Sequence, residues 1–541
     1  MVEKGERKWL WGFLLVVMIF TTLPYLIGYF RQGENWRFTG IIFGVEDGNS
    51  YIAKMLRGAN GEWLFRTPYT PYLQRGALVY FPLIFLGKLT APPAQHEQLV
   101  ALYHLFRLGG IILYGFATYD FIALFVHDTR WRRLGTALAT LGGGLGWLHT
   151  LGLGSLWGKG MPLEYYSPET FGFLMIYGLP HLACARALLL WGLHDYLRVD
   201  QPFQGWRAAL RTGLLWLGVG IMQPLTVVVG WAVIGTHIAA CGLWQLWLSR
   251  TGGITGWDIW RIWILRALRT GVLSAPMVVY TLLAFRLDPY LKSWEGQNMI
   301  TSPALTHYLL AYGMILPLAV LGARALLREA KWWGWLVLGW VAVFPVLAYA
   351  PYGLQRRLPE GVWVAIIILF MKWIEVRGAV VQRWAPRWSF ISFFSAIILI
   401  TGGSITAWSP RSPVFVPAGA VQAFEYLGTL SEERDQGTEV IVLASYETSN
   451  PLPAWAAVRT ITGHGPESVN SKELRKRVKC FFDRACTNLD RTTLIFEMGI
   501  KYVIWGPNER RSGTWDPRGA PFLEPIYNDS DYWIFAVKKN W

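Results

Sequence analysis

Apolar residues fill the chain in long blocks separated by short basic connections, and this block pattern sets the first expectations. Leu10–Tyr29, Gly213–Leu248 and Gly361–Ile374 are runs in which charged side chains are nearly absent. A helix needs about 20 apolar residues to cross the hydrocarbon core, where its backbone must satisfy its own hydrogen bonds. The pattern predicts helices near 10–30, 98–126, 134–153, 171–197, 212–228, 230–248, 270–286, 303–323, 333–350, 360–376 and 389–407. Gly76–Leu89 is apolar too, but it is short and carries Pro82.

Charge settles whether that short segment crosses. If it does not, the basic groups Arg130/Arg132/Arg133, Arg198/Arg207/Arg211, Arg250/Arg261/Arg266/Arg269, Arg324/Arg328/Lys331 and Arg377/Arg383/Arg387 share one side with Lys4, Arg7 and Lys8. The opposite loops carry chiefly Lys159, Arg286, Lys292, Arg356 and Arg357. Lys and Arg favour the cytoplasmic side, so the expectation is about eleven spans, with the N-terminus cytoplasmic and the C-terminus external. The fold class is a polytopic α-helical membrane protein, expected in a bacterial plasma membrane. Residues 1–408 would form the membrane domain and 409–541 an external α/β domain.

The first external loop, 31–97, holds a short amphipathic helix candidate, Asn49–Arg57, ended by Gly58. An aromatic turn region, Thr67-Pro68-Tyr69-Thr70-Pro71-Tyr72, follows, and 76–90 is expected to lie along or dip into the outer leaflet. Beyond the proline-rich Ser409–Pro417 the pattern changes to strand-like runs at Glu439–Ala444, Lys501–Trp505 and Tyr532–Lys538. A helical stretch, Ser471–Phe482, lies among them.

Composition closes off several classes. Of the 541 residues 53% are hydrophobic and 16% charged, against about 25% charged in soluble domains. A soluble cytosolic enzyme is excluded. The net charge of +15 sits in loops where topology requires it, and no nucleic-acid-binding motif accompanies it. No nucleic-acid partner is expected. The 31 Trp residues suit interfacial belts. Among the four Cys, Cys480 and Cys486 fall in the external part, and six residues along a helix is too far for a disulfide unless the chain bends.

With that topology the polar residues that stand out gather on the external side. They are Glu46 and Asp47, Glu164 and Glu169, Asn298, and Gln355-Arg356-Arg357 with Glu360; His181 follows Pro180 at the outer part of a helix. Carboxylates there can deprotonate an acceptor hydroxyl or hold a divalent cation, and an arginine pair can grip phosphate through its guanidinium forks. Plainer readings stand beside each: Asp47 as a helix N-cap, Glu164 and Glu169 as solvated charges, Asn298 as a turn residue, the arginines against lipid headgroups. Arg107 and Arg186 lie inside expected spans, where charge is costly and calls for a partner; Asp120 is too far along the helix for Arg107. Gly142-Gly143-Gly144 suggests close helix packing. HExxH, Walker and GxGxxG patterns are missing, which disfavours a zinc hydrolase or a nucleotide-driven pump.

One helix, a long external loop with an acidic motif, many further spans and an external C-terminal domain resemble the GT-C superfamily of membrane glycosyltransferases. That resemblance implies sugar transfer from a polyprenyl-phosphate donor to an external acceptor. It implies that Asp47, with Glu46 beside it, supplies the catalytic base in Val45-Glu46-Asp47-Gly48-Asn49-Ser50-Tyr51, and that Glu164 or Glu169 is a second acidic site. Pro180-His181, Gln297-Asn298, Leu354-Gln355-Arg356-Arg357 with Glu360-Gly361, and Gly463-His464-Gly465-Pro466-Glu467 resemble stretches of bacterial proteins of this type. The rival class is a non-enzymatic transporter or scaffold with an external binding domain; a transporter is expected to show repeated halves, and only one helix break, Gly220–Pro224, is apparent.

Overall fold

A computed structural model describes residues 2–198, 205–253, 256–329, 331–432, 440–529 and 531–539. The chain packs as two compact units, one of residues 1–22, 105–283 and 299–402, the other of 23–104, 284–298 and 403–541. The expected division at 408/409 does not follow this packing. The C-terminal segment shares its unit with the first long loop, because strand β1 (Trp36–Phe38) pairs antiparallel with β2 (Phe415–Pro417), Trp36 opposite Pro417.

Among the described residues, five helices are long and apolar enough to cross a membrane: Lys4–Arg31, Gln95–Ala123, Pro224–Arg250, Trp257–Leu287 and the run Ala379–Trp408. A sixth arises if Leu305–Tyr312 and Leu316–Arg328, bent by 69°, count as one span. The protein is an integral membrane protein. Most other expected spans fall on shorter or interrupted helices, such as Phe173–Gly178 followed by Pro180–Leu197.

The first unit is built round Val362–Glu375, in which every residue from Val362 to Ile374 is buried. A helix apolar on all sides belongs at the centre of a bundle. One expected span is corrected here: the helix predicted over 134–153 ends at Leu141. Gly142 turns extended, Gly143 donates its N–H to the Ser392 carbonyl at 2.8 Å, and a Cβ on Gly144 would meet the Ala311 carbonyl at 2.2 Å. The three glycines do serve close packing, as a non-helical crossing. Arg107 donates to the hydroxyls of Thr21 and Thr22, at 3.1 and 2.7 Å, while Asp120 is held by Arg7 at 2.6 Å and the Trp191 indole at 3.1 Å.

In the second unit a five-stranded sheet runs in the order β4 (Arg459–Thr460), β3 (Ile441–Leu443), β5 (Tyr502–Trp505), β7 (Trp533–Val537), β6 (Leu523–Asn528). The β4/β3 and β3/β5 pairs are parallel, and the β5/β7 and β7/β6 pairs antiparallel. Side chains alternate between two buried faces. Val442, Tyr502, Ile504 and Ile534 join Val421, Phe424 and Leu427 of the helix Ala418–Glu432. Leu443, Val503, Trp505 and Phe535 join Leu474, Val478 and Phe481 of Ser471–Phe481 and Leu494 and Ile495 of Asn488–Met498. Burial on both faces explains why β5 reads as an unbroken apolar run. Of the three expected strands, the first was placed from Glu439, which lies outside the described residues. Cys480 and Cys486 are disulfide-bonded, with Cα atoms 5.4 Å apart, because the helix ends at Phe481 and the chain turns back.

Two glycines bring the first loop together. The helix Val45–Ala59 is buried along most of its length, and a Cβ on Gly58 would lie 1.9 Å from the Ile84 carbonyl. A Cβ on Gly87, at the end of Phe81–Gly87, would lie 1.7 Å from the Met55 carbonyl. The seven-residue helix in the 76–90 stretch therefore packs backbone-close on its neighbour.

Candidate functional site

Four charged side chains in the second unit form an alternating series that starts on the Val45–Ala59 helix. Gly44, at φ 59°, occupies the N-cap position with no side-chain cap. The capping reading of Asp47 is thereby replaced: Asp47 sits inside the first turn. Its carboxylate meets the His464 imidazole, Nε2 to Oδ1, at 3.0 Å. The ring is 6% exposed and the carboxylate 59%, so a buried imidazole faces an open acid.

Behind the ring, His464 Nδ1 lies 3.9 Å from Glu467 Oε1. Glu467 is buried and accepts from Lys54 Nζ at 2.7 Å, Ser50 Oγ at 2.9 Å and Thr67 Oγ1 at 2.7 Å. Ser50 and Lys54 lie on the Asp47 helix, one and two turns on. Lys54 also lies over the Tyr80 ring at 4.4 Å. Burial pushes the Glu467 carboxyl up, but Lys54 and His464, with the hydrogen bonds from Lys54 and Thr67, outweigh it and hold it below its ordinary value. Burial likewise pulls His464 down, and Glu467 and Asp47 overcome this to hold the imidazole above its ordinary value. Lys54 goes the other way: desolvation outweighs Glu467 and leaves it below the usual lysine range.

Glu46 is placed differently from its neighbour. One of its oxygens accepts both the Tyr446 hydroxyl and the Gly465 N–H, the latter at 2.8 Å. Arg475 in turn lies 3.2 Å above the Tyr446 ring. Asn450 donates to the Gly463 carbonyl at 2.8 Å and to the Glu46 carbonyl at 3.3 Å, which knits the loop to the helix start. Both adjacent acids are exposed, but Glu46 is engaged in holding the loop whereas Asp47 meets the imidazole. Asn298 is in this unit too, as the C-cap of Pro289–Gln297, with its N–H on the Trp294 carbonyl at 2.9 Å.

The remaining sequence-predicted residues lie in the first unit. Glu164 and Glu169 are 4% exposed, which overturns their reading as solvated charges. Glu164 accepts from the Gly146 N–H and, at 3.4 Å, from Ser395. Burial, only partly offset by those hydrogen bonds, pushes it up to about 7. Glu169 accepts from Ser167 at 3.3 Å and pairs with Arg357 at 3.7 Å. Gln355, Arg356 and Arg357 form a single 3-10 turn. Arg356 stacks over Tyr166 at 4.6 Å, and its buried Nε has no hydrogen-bond partner among the described residues. Arg186 binds Glu360 and the carbonyls of Phe171, Pro168 and Glu169, the last three at 2.8–3.1 Å, so this intraspan arginine is fully engaged. His181 is buried at the start of Pro180–Leu197.

Among the described residues no group of three or more His, Cys, Asp and Glu side chains is placed to hold a metal ion. Around Asp47, the His464 imidazole is favoured by two carboxylates in its cationic form, Glu467 is committed to Lys54 and Glu46 to Tyr446 and Gly465, a poor donor set for a divalent cation.

No family model and no curated protein matches the chain. Solved structures do. The apo form of the Archaeoglobus fulgidus oligosaccharyltransferase superposes with a TM-score of 0.52 at 12% identity, over 98% of this chain and 74% of its own. The same enzyme tethered to an acceptor peptide gives 0.51 at 11% identity, over 92% and 69%. ArnT from Cupriavidus metallidurans in the apo state gives 0.48 at 11% identity, over 96% and 97%. The chain shares the fold of the Archaeoglobus fulgidus oligosaccharyltransferase.

Proposed function

We propose that this protein is a membrane glycosyltransferase that moves a sugar from a polyprenyl-phosphate donor to a hydroxyl- or amide-bearing acceptor on the external face of the membrane, with Asp47 as general base. The observation that carries the reading is Asp47 itself: on a GT-C fold, an exposed carboxylate in the first loop is held by a buried imidazole. In the reaction an acceptor oxygen or nitrogen attacks the anomeric carbon as the bond from that carbon to the phosphate oxygen breaks. The electron pair leaves with the phosphate, and the acceptor's proton goes to Asp47.

Two further features support it. Arg356 carries a buried Nε donor without a hydrogen-bond partner among the described residues, which a lipid phosphate would satisfy while Arg357 is steadied by Glu169. The disulfide between Cys480 and Cys486 fits an oxidising, external side for the C-terminal segment. No step requires a metal ion in this scheme.

The test is transfer from a panel of radiolabelled polyprenyl-phosphate sugars by purified protein in detergent. Asp47→Asn should lower the rate roughly 10²–10⁴-fold with the protein still folded, whereas Glu46→Gln should cost less, since Glu46 binds Tyr446 and Gly465. Full activity in Asp47→Asn would remove it from the chemistry, and absence of transfer by wild type from every donor would favour a non-enzymatic role.

A further inference from the structure

We propose that His464 is the positioning residue of the site: its Nε2–H holds the Asp47 carboxylate in one orientation, and Glu467, anchored by Lys54, lies behind the imidazole as its counter-charge. The proposal rests on Asp47 as the base and gives the C-terminal segment a part in its site.

The ring is constrained on every side. Tyr69 stacks against it, centroids 5.6 Å apart and planes 29° apart, and the Tyr69 hydroxyl is tied to the Asn450 carbonyl at 2.9 Å. Its backbone is fixed by Ser468, whose hydroxyl accepts the N–H groups of Gly463 and His464 at 3.2 and 3.3 Å, and whose own N–H returns to the His464 carbonyl at 2.9 Å. A Cβ on Gly463 would stand 2.7 Å from the Ser449 carbonyl, so the loop reaches this position only with glycine there. On its exposed side the ring meets Asp47.

The charges alternate: Lys54 cationic, Glu467 anionic, His464 between two carboxylates, Asp47 anionic. Lys54 and Asp47 face the ring from the Val45–Ala59 helix, and Glu467 from its own loop. Glu46 stands beside Asp47 but is bound to Tyr446 and Gly465; Tyr69 and Tyr446 are neutral phenols. An imidazole flanked by two carboxylates is favoured as the cation, and both carboxylates raise its proton affinity. The cation keeps Asp47 ionised, and its fixed N–H removes the rotational freedom an exposed Asp would otherwise lose in the transition state. A cation beside a base also lowers its basicity, so the gain is one of orientation and charge state.

The test compares wild type with His464→Gln, whose amide N–H can replace the Nε2 donor without its charge, and with His464→Ala, which removes both. The activity readout is transfer from whichever lipid-linked sugar supports wild-type turnover, with kcat and KM measured across pH. His464→Ala should lower kcat about 10–100-fold with donor KM within about twofold, while His464→Gln recovers part of kcat and shifts the acid limb of kcat/KM upward by about one pH unit. A merely structural role would reduce folded yield without moving that limb.

A second readout needs no turnover: imidazole NMR of histidine-labelled protein, with the His464 signal assigned by its loss in His464→Gln. It should titrate above the ordinary imidazole range and move downward in Asp47→Asn. An unmoved acid limb with wild-type kcat in both His464 variants, or a His464 titration indifferent to Asp47→Asn, would overturn the proposal. Activity retained in Asp47→Asn would instead overturn the base assignment, so the two failures are told apart.

Discussion

Glu467→Ala tests the energetic centre of the second unit. The substitution removes the carboxylate paired with Lys54, leaving an ammonium whose side chain is 0% exposed. At 2.7 Å and an effective dielectric near 20, the direct attraction is about 6 kcal/mol. Desolvation offsets part of it, and breaking a buried pair from one side costs about 3–5 kcal/mol. Lys54 can escape by losing its proton, which at pH 7 costs no more than about 4–5 kcal/mol from the ordinary lysine pKa, so the penalty saturates there. The Tyr80 face at 4.4 Å softens it further.

The assay is hydrogen–deuterium exchange on the detergent-solubilised full chain, followed in peptides from 45–59 and 463–468. Glu467→Ala should raise the opening equilibrium in both segments together by roughly two to three decades. Lys54→Met combined with Glu467→Gln removes both charges and keeps an acceptor for Thr67, and should restore at least half of the lost protection. Because the folded Glu467 pKa lies below its unfolded value, its contribution is present above the ordinary carboxylate range. It is lost only as pH falls through the lower folded value. Wild-type protection in Glu467→Ala, or a double variant as open as the single one, would refute the argument.

Two other outcomes follow from the packing and the orphaned donor. Gly58→Ala drives a methyl into the Ile84 backbone and should destabilise by at least about 1–3 kcal/mol, seen as faster exchange in 45–59 and 81–87; wild-type exchange would deny the close approach. Arg356→Lys keeps the charge but loses the planar fork and its Nε donor, so donor KM should rise about tenfold or more with kcat little changed. Unchanged donor KM in both the Lys and Ala variants would assign this arginine to another role.

The helical blocks and the acidic start of the Val45–Ala59 helix were legible because apolar runs and first-turn carboxylates are local signals. The partner of Asp47 was not, since His464 lies 417 residues away and the Gly463–Glu467 stretch carries no spacing that points back to the first loop. Burial of Glu164 and Glu169 was hidden for a similar reason: the groups that accommodate them, Gly146, Ser395, Arg357 and Ser167, come mostly from other segments. Helical periodicity extended the third expected span past Leu141 because it weighs apolarity, whereas the actual constraint is the space left at Gly142, Gly143 and Gly144. Strands β4 and β6 escaped notice for local causes. The first has two residues, and the second carries Pro525 beside a bulge at the sheet edge.

The pairing of Lys54 with Glu467 also sets an order in time. The two residues are separated by 413 positions, and a ribosome adding about 5–20 residues per second needs roughly 20–80 s to cover that interval. Throughout it, a nascent chain has made the Val45–Ala59 helix but not the anion that neutralises its interior lysine, and for most of it β2, the partner of β1, is missing too. The first loop must wait hydrated, with Lys54 in water, and can close only after the last membrane helix has been made. Chains truncated before residue 467 should therefore carry a first loop that proteases cut readily, and a ribosome stalled late in the message would hold the protein inserted but with that loop still open.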